Sequence, residues 1–495
     1  MQLLTAKQMQ QWDAWTITHE PVESLDLMER AATACVVFLE ENNLLDHPIK
    51  VFCGKGNNGG DGLAIARLLI LKGYDPKIFI VEMGSMGSTD FQANLQRLHS
   101  VSTNIHFIQS PEFFPVLDKN DLIIDALLGL GLDRPLQGLY AELVNHINQF
   151  NATVVAIDLP TGMFSDKSSV QNPIIRANYT LTFQSLKLCF LMAENAAYAG
   201  HVSIMNIGLS LEFLDTINSD IFLISESLTK NIFQPRPDFA HKGTCGHALL
   251  IAGSEGKMGA AVLCAKACLR AGAGLVTMKV PHHEISILQI SIPEAMCLVE
   301  NKIDFDKYQS AGIGPGLGKE KEALEILKSI LHSSLAKYVV DADALNLIAE
   351  NPELMEHISE QAVITPHPKE FDRLFGVMKN DFERFEKAVA LSKKYPFTIV
   401  LKGHHTCVVK NGKAFFNLTG NSGMATGGMG DALTGIITSL LAQGYDSINA
   451  AILGVYLHGL AADLCLREQS VESLLPSDLI DYLGQAFMQL HFPQV

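Results

Sequence analysis

Short apolar runs, each stopped by a turn and followed by a helical stretch, recur along most of this chain. In the first half they read IKVFC (49–53), KIFIVE (77–82), DLIIDALLG (121–129) and TVVAIDLPTG (153–162). In the second half they read HALLIAGS (247–254), AGLVTMKV (273–280), KYVVDADA (337–344), QAVITPHP (361–368) and FTIVLKG (397–403). Runs that are apolar throughout, rather than alternating, mark strands covered on both faces. The pattern predicts an α/β chain built on doubly wound parallel sheets. Ligands are then expected where the strands end, because that is where such sheets open a crevice.

A chain of 495 residues exceeds what one hydrophobic core usually serves, so at least two domains are expected. The rhythm of the first half stops between residues 218 and 240, around Pro235 and Pro237, which predicts domains at 1–218 and 219–495. A net charge of −16 argues against nucleic acid as the main ligand, since that affinity rests on Lys and Arg. Nucleotides stay open, because loops hold phosphates through backbone amides. The nine cysteines are scattered and form no C-x-x-C pair, so reduced, buried thiols are expected. The N-terminus lacks a basic start followed by an apolar run, and AAILGVYLHGLAADLCL (450–466) is interrupted by His458 and Asp463. A cytoplasmic protein without a membrane span follows as the expectation.

Two glycine-rich loops lead into helical stretches: GKGNNGGDG (54–62) and TGNSGMATGGMGDALTG (419–435). Glycines before a helix leave free backbone N–H groups and the positive helix end facing an anion. The first loop contains Gly54-Lys-Gly56-Asn-Asn-Gly59, a match to G-x-G-x-x-G, with Glu82 ending the next strand as a dinucleotide fingerprint asks. Asn57, Asn58 and Asp61 argue against a dehydrogenase, which needs only a close backbone there. A tight turn without ligand also stays open. In the second loop a Gly-Gly-x-Gly-Asp turn offers the amides of residues 427–430 as an anion hole, with Asp431 as a general base. A plain N-capping Asp is the alternative. The Walker loop is absent: in GIGPGLGKEK the spacing fails and Glu320 replaces the Ser or Thr that would hold magnesium.

The longer strings resemble known families. GKGNNGGDG, DALLGLGLDRPLQG and AIDLPTG together resemble NAD(P)H-hydrate epimerases, which implies a Rossmann-like domain from Met1 to about Gly208. The resemblance implies that Asn57, Asn58, Gly59, Gly60 and Asp61 contact the hydrated nicotinamide nucleotide. Gly129, Leu130, Gly131, Leu132, Asp133, Arg134 and Pro135 would close over its phosphates. Asn58, Asp125 and Thr161 would bind K+, and oxygen donors suit a hard cation. Asp158 would be the catalytic carboxylate that moves protons while the bond to oxygen breaks and reforms. Thr161 replaces the family's usual Ser, and Leu188 replaces the Gly after Lys187, which leaves the role of that lysine open.

HKGTCG, GSEGKMGAAVLCAKACLRAGAGLVT, GIGPGLG, DADALN, TPHPKE, KGHHT and NSGMATGGMGDALTG resemble NAD(P)H-hydrate dehydratases of ribokinase-like fold. That resemblance implies Ala261, Gly316 and His367 as substrate contacts. Lys402, Gly403, His404, His405, Thr406 and Gly430 would hold the nucleotide, ADP or ATP. Asp431 would be the base and substrate contact, with Glu370 near Mg2+. His404 and His405, where small residues are common, are expected as exposed loop residues, and Ser422 stands where the family has Pro.

The implied activity is repair of hydrated NADH and NADPH. One half would interconvert the R and S hydrates, and the other would phosphorylate and eliminate the hydroxyl of the S form. A homo-oligomer, with a tetramer as the expected form, belongs to the same resemblance. Two alternatives remain open from residues alone: a small-molecule kinase for a sugar or hydroxymethylpyrimidine, and a first half that binds without catalysis.

Overall fold

The protein is described here by a computed structural model, which covers residues 1–491 apart from Pro21, Ser85 and Asn301. The chain divides into two compact units: Gln2–Ser219 together with Asn380–Phe382, and Asp220–Lys379 together with Met1 and the residues from Glu383 on.

The first unit is built on seven parallel strands: β1 (Ile49–Cys53), β2 (Lys77–Val81), β3 (Ile105–Ile108), β4 (Leu122–Ala126), β5 (Thr153–Ile157), β6 (Tyr179–Phe183) and β7 (His201–Met205). Their order is β3-β2-β1-β4-β5-β6-β7, so the winding reverses between β1 and β4. Side chains alternate across that sheet. Val51 and Ile124 enter the core beneath the helices Ser24–Glu41, Asn57–Leu71 and Thr89–His99. Phe52 and Ile123 enter the opposite core, beneath Gly138–Asn148. Both faces are therefore covered, which is why the strand sequences show no polar alternation.

A third, smaller cluster fixes the N-terminal helix Ala6–His19. Met9 and Trp12 pack with Leu27, Leu209 and Phe213, and Trp12 Nε1 donates to Ser210 O at 2.7 Å. Thr5 and Gln8 close a capping box at its start. With one face anchored, the adjacent Asp13 is carried into the cavity described below.

The second unit holds ten strands: β8 (Ile221–Leu223), β9 (His247–Ile251), β10 (Leu275–Lys279), β11 (Met296–Cys297), β12 (Ser310–Ile313), β13 (Tyr338–Val340), β14 (Val363–Ile364), β15 (Thr398–Leu401), β16 (Cys407–Lys410) and β17 (Lys413–Phe416). Their order is β11-β10-β9-β12-β13-β14-β15-β16-β17-β8, with antiparallel pairing only on the two sides of β16. The winding reverses between β9 and β12.

Three helices, Met429–Ala442, Ser447–Cys465 and Pro476–His491, pack together over this sheet. Ser447–Cys465 is long and apolar enough to cross a membrane, but it is mostly buried and serves as a core helix.

The stretch expected to end the first half is more ordered than its prolines suggest. Residues 221–223 already form β8, the edge strand beside β17, and Glu226–Ile232 is a helix capped by Ser225.

Candidate active sites

In the first unit the glycine loop follows β1, and its helix starts earlier than the apolar pattern indicates. Asn57 is the first helical residue and Gly56 its uncapped N-cap, so residues 57–61 form the opening turns. The glycines are required by close approach. A Cβ on Gly54 would lie 2.0 Å from Leu127 O, and one on Gly59 would lie 1.8 Å from Gly54 O. Gly60 would meet Met28 Sδ at 2.9 Å and Gly62 the Ala126 methyl at 2.5 Å. The loop is thereby pressed against the end of β4, across the reversal point of the sheet.

A cavity of about 790 Å³ opens there. Its walls include Asn57, Asn58, Asp61, the whole 129–135 segment and Asp158, so the residues expected around the hydrated nucleotide converge on one place. Gly59 and Gly60 lie beneath, buried in the helix. Glu82 is engaged elsewhere: it pairs with Lys55 and accepts from Gly84 N, so it is not a free ribose-binding acid.

Asp158 follows β5 with a left-handed backbone, φ 64°. Its carboxylate pairs with Lys187, whose Nζ is 2.7 Å from Asp158 Oδ1 and also donates to Thr182 Oγ1 and Phe183 O. Lys187 is fully buried. All three donors of its ammonium are therefore used, one on the carboxylate and two on the β6 end. The lysine left open by sequence is thus the partner of the candidate catalytic acid. Asp13 and Asp61 complete the group. Burial pushes Asp61 well up, and the carboxyls of Asp158, Asp13 and Asp90 add to the rise.

Asp125 and Thr161 also come together, with Asn58 on the cavity wall nearby in the fold of the first unit. Asp125 is fully buried on β4; its Oδ1 accepts from Thr161 Oγ1 at 2.7 Å and its Oδ2 from Thr161 N at 2.8 Å. Burial pushes its carboxyl up to about 6, and the Thr161 bonds hold it lower than burial alone would. The Asn58 amide packs over Gly129, and its Nδ2 is buried with no hydrogen-bond partner. The two amide ends are interchangeable by a flip, so the unpartnered atom can be the oxygen.

In the second unit, residues at the ends of neighbouring strands again converge. Asp341 follows β13, and Lys402 follows β15. Lys402 Nζ lies 2.7 Å from Asp341 Oδ1 and 3.9 Å from Glu370 Oε2. Thr434, from the Met429–Ala442 helix, donates to Asp341 Oδ2 at 2.8 Å. That helix starts after Gly428, at φ 99°, without a side-chain cap. Asp431 stands in its first turn, where burial and the neighbouring Asp341 push its carboxyl up to about 6 against the pull of Lys402. A Cβ on Gly430 would face Lys402 Nζ at 3.4 Å, so Gly430 and the ammonium are neighbours.

His367 N-caps the helix Pro368–Phe375: its Nδ1 accepts from Lys369 N and Glu370 N, while Glu370 Oε2 accepts from His367 N at 2.9 Å. That leaves Nε2, 3.4 Å from Glu370 Oε1, as the ring's remaining nitrogen. Burial and nearby Lys402 lower the His367 pKa, so the ring is held neutral. Glu370 is buried, and both of its oxygens lie against protein groups. Gly316 has φ 60°, and its carbonyl accepts from Ser254 Oγ at 2.8 Å.

Two expectations need adjusting. Ala261 has no exposed surface; its methyl lies beneath Gly253, so its small size shapes the floor rather than presenting a face. His404 is exposed, but His405 is half-buried, with its Nδ1 unpartnered and its pKa lowered to about 4 by burial and by His404. Gly403 and Thr406 close the turn through the Thr406 hydroxyl. Asp341 and Thr434 were not singled out from sequence. For Asp341 a signal existed, since it ends a strand in DADALN as Asp125 and Asp158 end theirs. Asp13 carried no such signal.

Two doubly wound α/β units, each gathering carboxylates and a lysine beside an uncapped helix start, define a two-site enzyme for small phosphorylated ligands. The family model described as YjeF-related protein N-terminus matches residues 24–189, and that described as NAD(P)H-hydrate dehydratase matches residues 248–485. A bifunctional NAD(P)H-hydrate repair enzyme of Moorella thermoacetica is 33% identical over 99% of this chain and 97% of its own length. One from Coxiella burnetii is 37% identical over 93% and 94%. The crystal structure of a ribokinase-like superfamily protein from Enterococcus faecalis is 30% identical and covers 55% of this chain and 98% of its own, with a TM-score of 0.50. The chain belongs to the bifunctional NAD(P)H-hydrate repair enzyme family.

Proposed function

We propose that this protein returns hydrated NADH and NADPH to use in two steps, epimerisation in the first unit and nucleotide-dependent dehydration in the second. The observation that carries the reading is the Asp158–Lys187 pair on the wall of the first cavity. An ionised carboxylate held by a buried ammonium can take a proton from water or hydroxyl without reorienting.

In the second unit Asp431 would accept the proton of the substrate hydroxyl as it attacks the terminal phosphoryl group. The free amides at the start of its helix and the Lys402 ammonium would meet the negative charge that develops there. Phosphorylation turns a poor leaving group into phosphate, and its elimination restores the dihydronicotinamide ring. Asp341, bonded to both Lys402 and Thr434, fixes the lysine relative to the helix start. ADP is the proposed donor, with ATP as the alternative, and the cytoplasm is the proposed setting. All nine cysteines being free agrees with that setting.

The donor set supports K+ in the first unit. Asn58, Asp125 and Thr161 would hold it, supplying hard oxygens, and the ion would compensate a buried carboxylate and an orphaned amide. Bound there, K+ supplies positive charge beside the cavity. Mg2+ fits the chain's own residues less well, because both Glu370 oxygens are already engaged by His367.

The test mixes the protein with both epimers of hydrated NADH and supplies ADP or ATP in turn. Restored NADH is followed by absorbance. Complete conversion is expected; a stop once the S epimer is spent would remove the first activity. Accumulation of a stable phosphorylated product would remove the second.

A further inference from the structure

Inversion at a carbon bonded to oxygen needs one group to give a proton and one to take it. Asp158 supplies one carboxyl. Asp61 and Asp13 line the same cavity, and neither carboxyl has a hydrogen-bond partner among the described residues. They differ in access. Asp61 is buried in the glycine-loop helix, whereas Asp13 is partly exposed on the anchored helix Ala6–His19. Asp158 is itself buried and exchanges only through the open cavity, so the carboxyl that meets solvent most directly, and can serve as the paired donor, is Asp13.

We propose that Asp13 is the second catalytic residue of the epimerisation, the proton donor that works with Asp158. This rests on the epimerase reading above. Water adds to the enamine double bond of a dihydropyridine so that the hydroxyl sits on the carbon bonded to the ring nitrogen. The Asp13 carboxylic acid protonates that hydroxyl, the C–O bond breaks, and water leaves while the nitrogen lone pair forms C=N+. A water then adds to the opposite face. The new C–O bond uses an oxygen lone pair, the C=N pair returns to nitrogen, and the Asp158 carboxylate takes the released proton. One proton has passed from Asp13 to Asp158, and solvent exchange resets both.

The electrostatics agree with the placement. Burial pushes the Asp13 carboxyl up to about 7; Asp158 adds to the rise and Lys187 opposes it. The other charged or titratable groups on the cavity walls are Asp61, Asp133, Arg134 and Tyr140. Asp13 is therefore protonated on the acid side of neutrality and ionised on the alkaline side.

The experiment uses the full chain, whose second unit provides an internal control. Asp13→Asn should dehydrate the S epimer at the wild-type rate while kcat for R-to-S conversion falls by ~10²–10⁴-fold, with KM little changed. The wild-type fall in epimerisation above about pH 7 should vanish in Asp13→Asn. Asp13→Glu, which keeps the acid one methylene further out, should recover part of kcat with a displaced alkaline limb. Wild-type kcat in Asp13→Asn, or a rise in KM alone, overturns the proposal. If Asp13→Asn does not fold, an unaltered pH profile in Asp13→Glu overturns it, and a displaced limb supports it. Wild-type protein that leaves the two epimers unexchanged sinks the epimerase reading itself, a result separable from failure of Asp13 alone.

Discussion

The two glycine loops look alike in sequence, but the glycines nearest their helix starts serve different ends. In the first, a Cβ at Gly54 or Gly59 would collide with backbone oxygens at 2.0 Å and 1.8 Å, so those glycines let the helix press against its own sheet. In the second, Gly427 would meet nothing within 4 Å, and Gly430 faces only the Lys402 ammonium and an Asp341 oxygen. There the missing side chains leave room beside charged groups. Further along the second loop a Cβ on Gly435 would lie 2.1 Å from Cys264 O, so the contrast is one of particular glycines: Gly54 and Gly59 are packing devices, whereas Gly427 and Gly430 leave clearance.

The largest effect should come from breaking that contrast. Gly59→Ala is expected to unfold the first unit, costing more than ~3 kcal/mol because the obstructing atom is backbone and cannot move aside. Gly427→Ala should leave thermal unfolding unchanged and weaken nucleotide binding. Equal melting shifts for the two variants would dissolve the distinction. Lys187→Met comes next. It leaves Asp158 without its partner in a buried setting, a change that costs about 3–5 kcal/mol when a buried pair loses one member. Denaturant midpoints should fall for the first unit only, and epimerisation should be lost while dehydration of the S epimer persists.

The two sites should also differ in the sense of their pH limbs. Asp431 must be ionised to act as a base, and its pKa is raised to about 6 by burial and Asp341. Dehydration should therefore rise with pH through about 6, opposite in sense to the alkaline fall expected of Asp13. Asp341→Asn removes a repelling charge and should move the limb to lower pH; an unmoved limb would show that another group titrates. Asp431→Asn should lower kcat by ~10²–10⁴-fold with nucleotide affinity kept.

Strand-ending acids made the site legible. Asp125 and Asp158 stand at the ends of apolar runs, and parallel topology brings such ends together, so continuous hydrophobicity located them. β3, β6 and β7 were harder to see, because IHFI, YTLTF and HVSIM are short and interleaved with polar residues. The β16–β17 hairpin lay beyond the βα rhythm altogether. Asp13 was hidden for a different reason. Its helix is anchored by contacts of Trp12 and Met9 with residues near 210, a pairing some 200 positions apart that no local pattern encodes. Lys187 was visible only as a departure, since Leu188 follows it, and burial of its ammonium depends on the folds of β5 and β6.

The smallest expected effect lies in the second loop, at Ser422. Its side chain is exposed, and its N–H donates to no described residue. It opens the short 3-10 turn Ser422–Met424, after Asn421 at φ −141° and ψ 173°. Proline suits the first position of a helical turn, and the extended backbone of Asn421 is what a residue before proline prefers. Ser422→Pro should therefore stabilise the second unit by ~0.4–1 kcal/mol, through restriction of the unfolded chain. The Asn421–Asp463 bond, which ties the loop to the Ser447–Cys465 helix, is unaffected by the change. Dehydration kcat should stay the same while the denaturant midpoint rises slightly. A drop in kcat would mean that loop motion, and not only the clearance its glycines provide, belongs to the reaction.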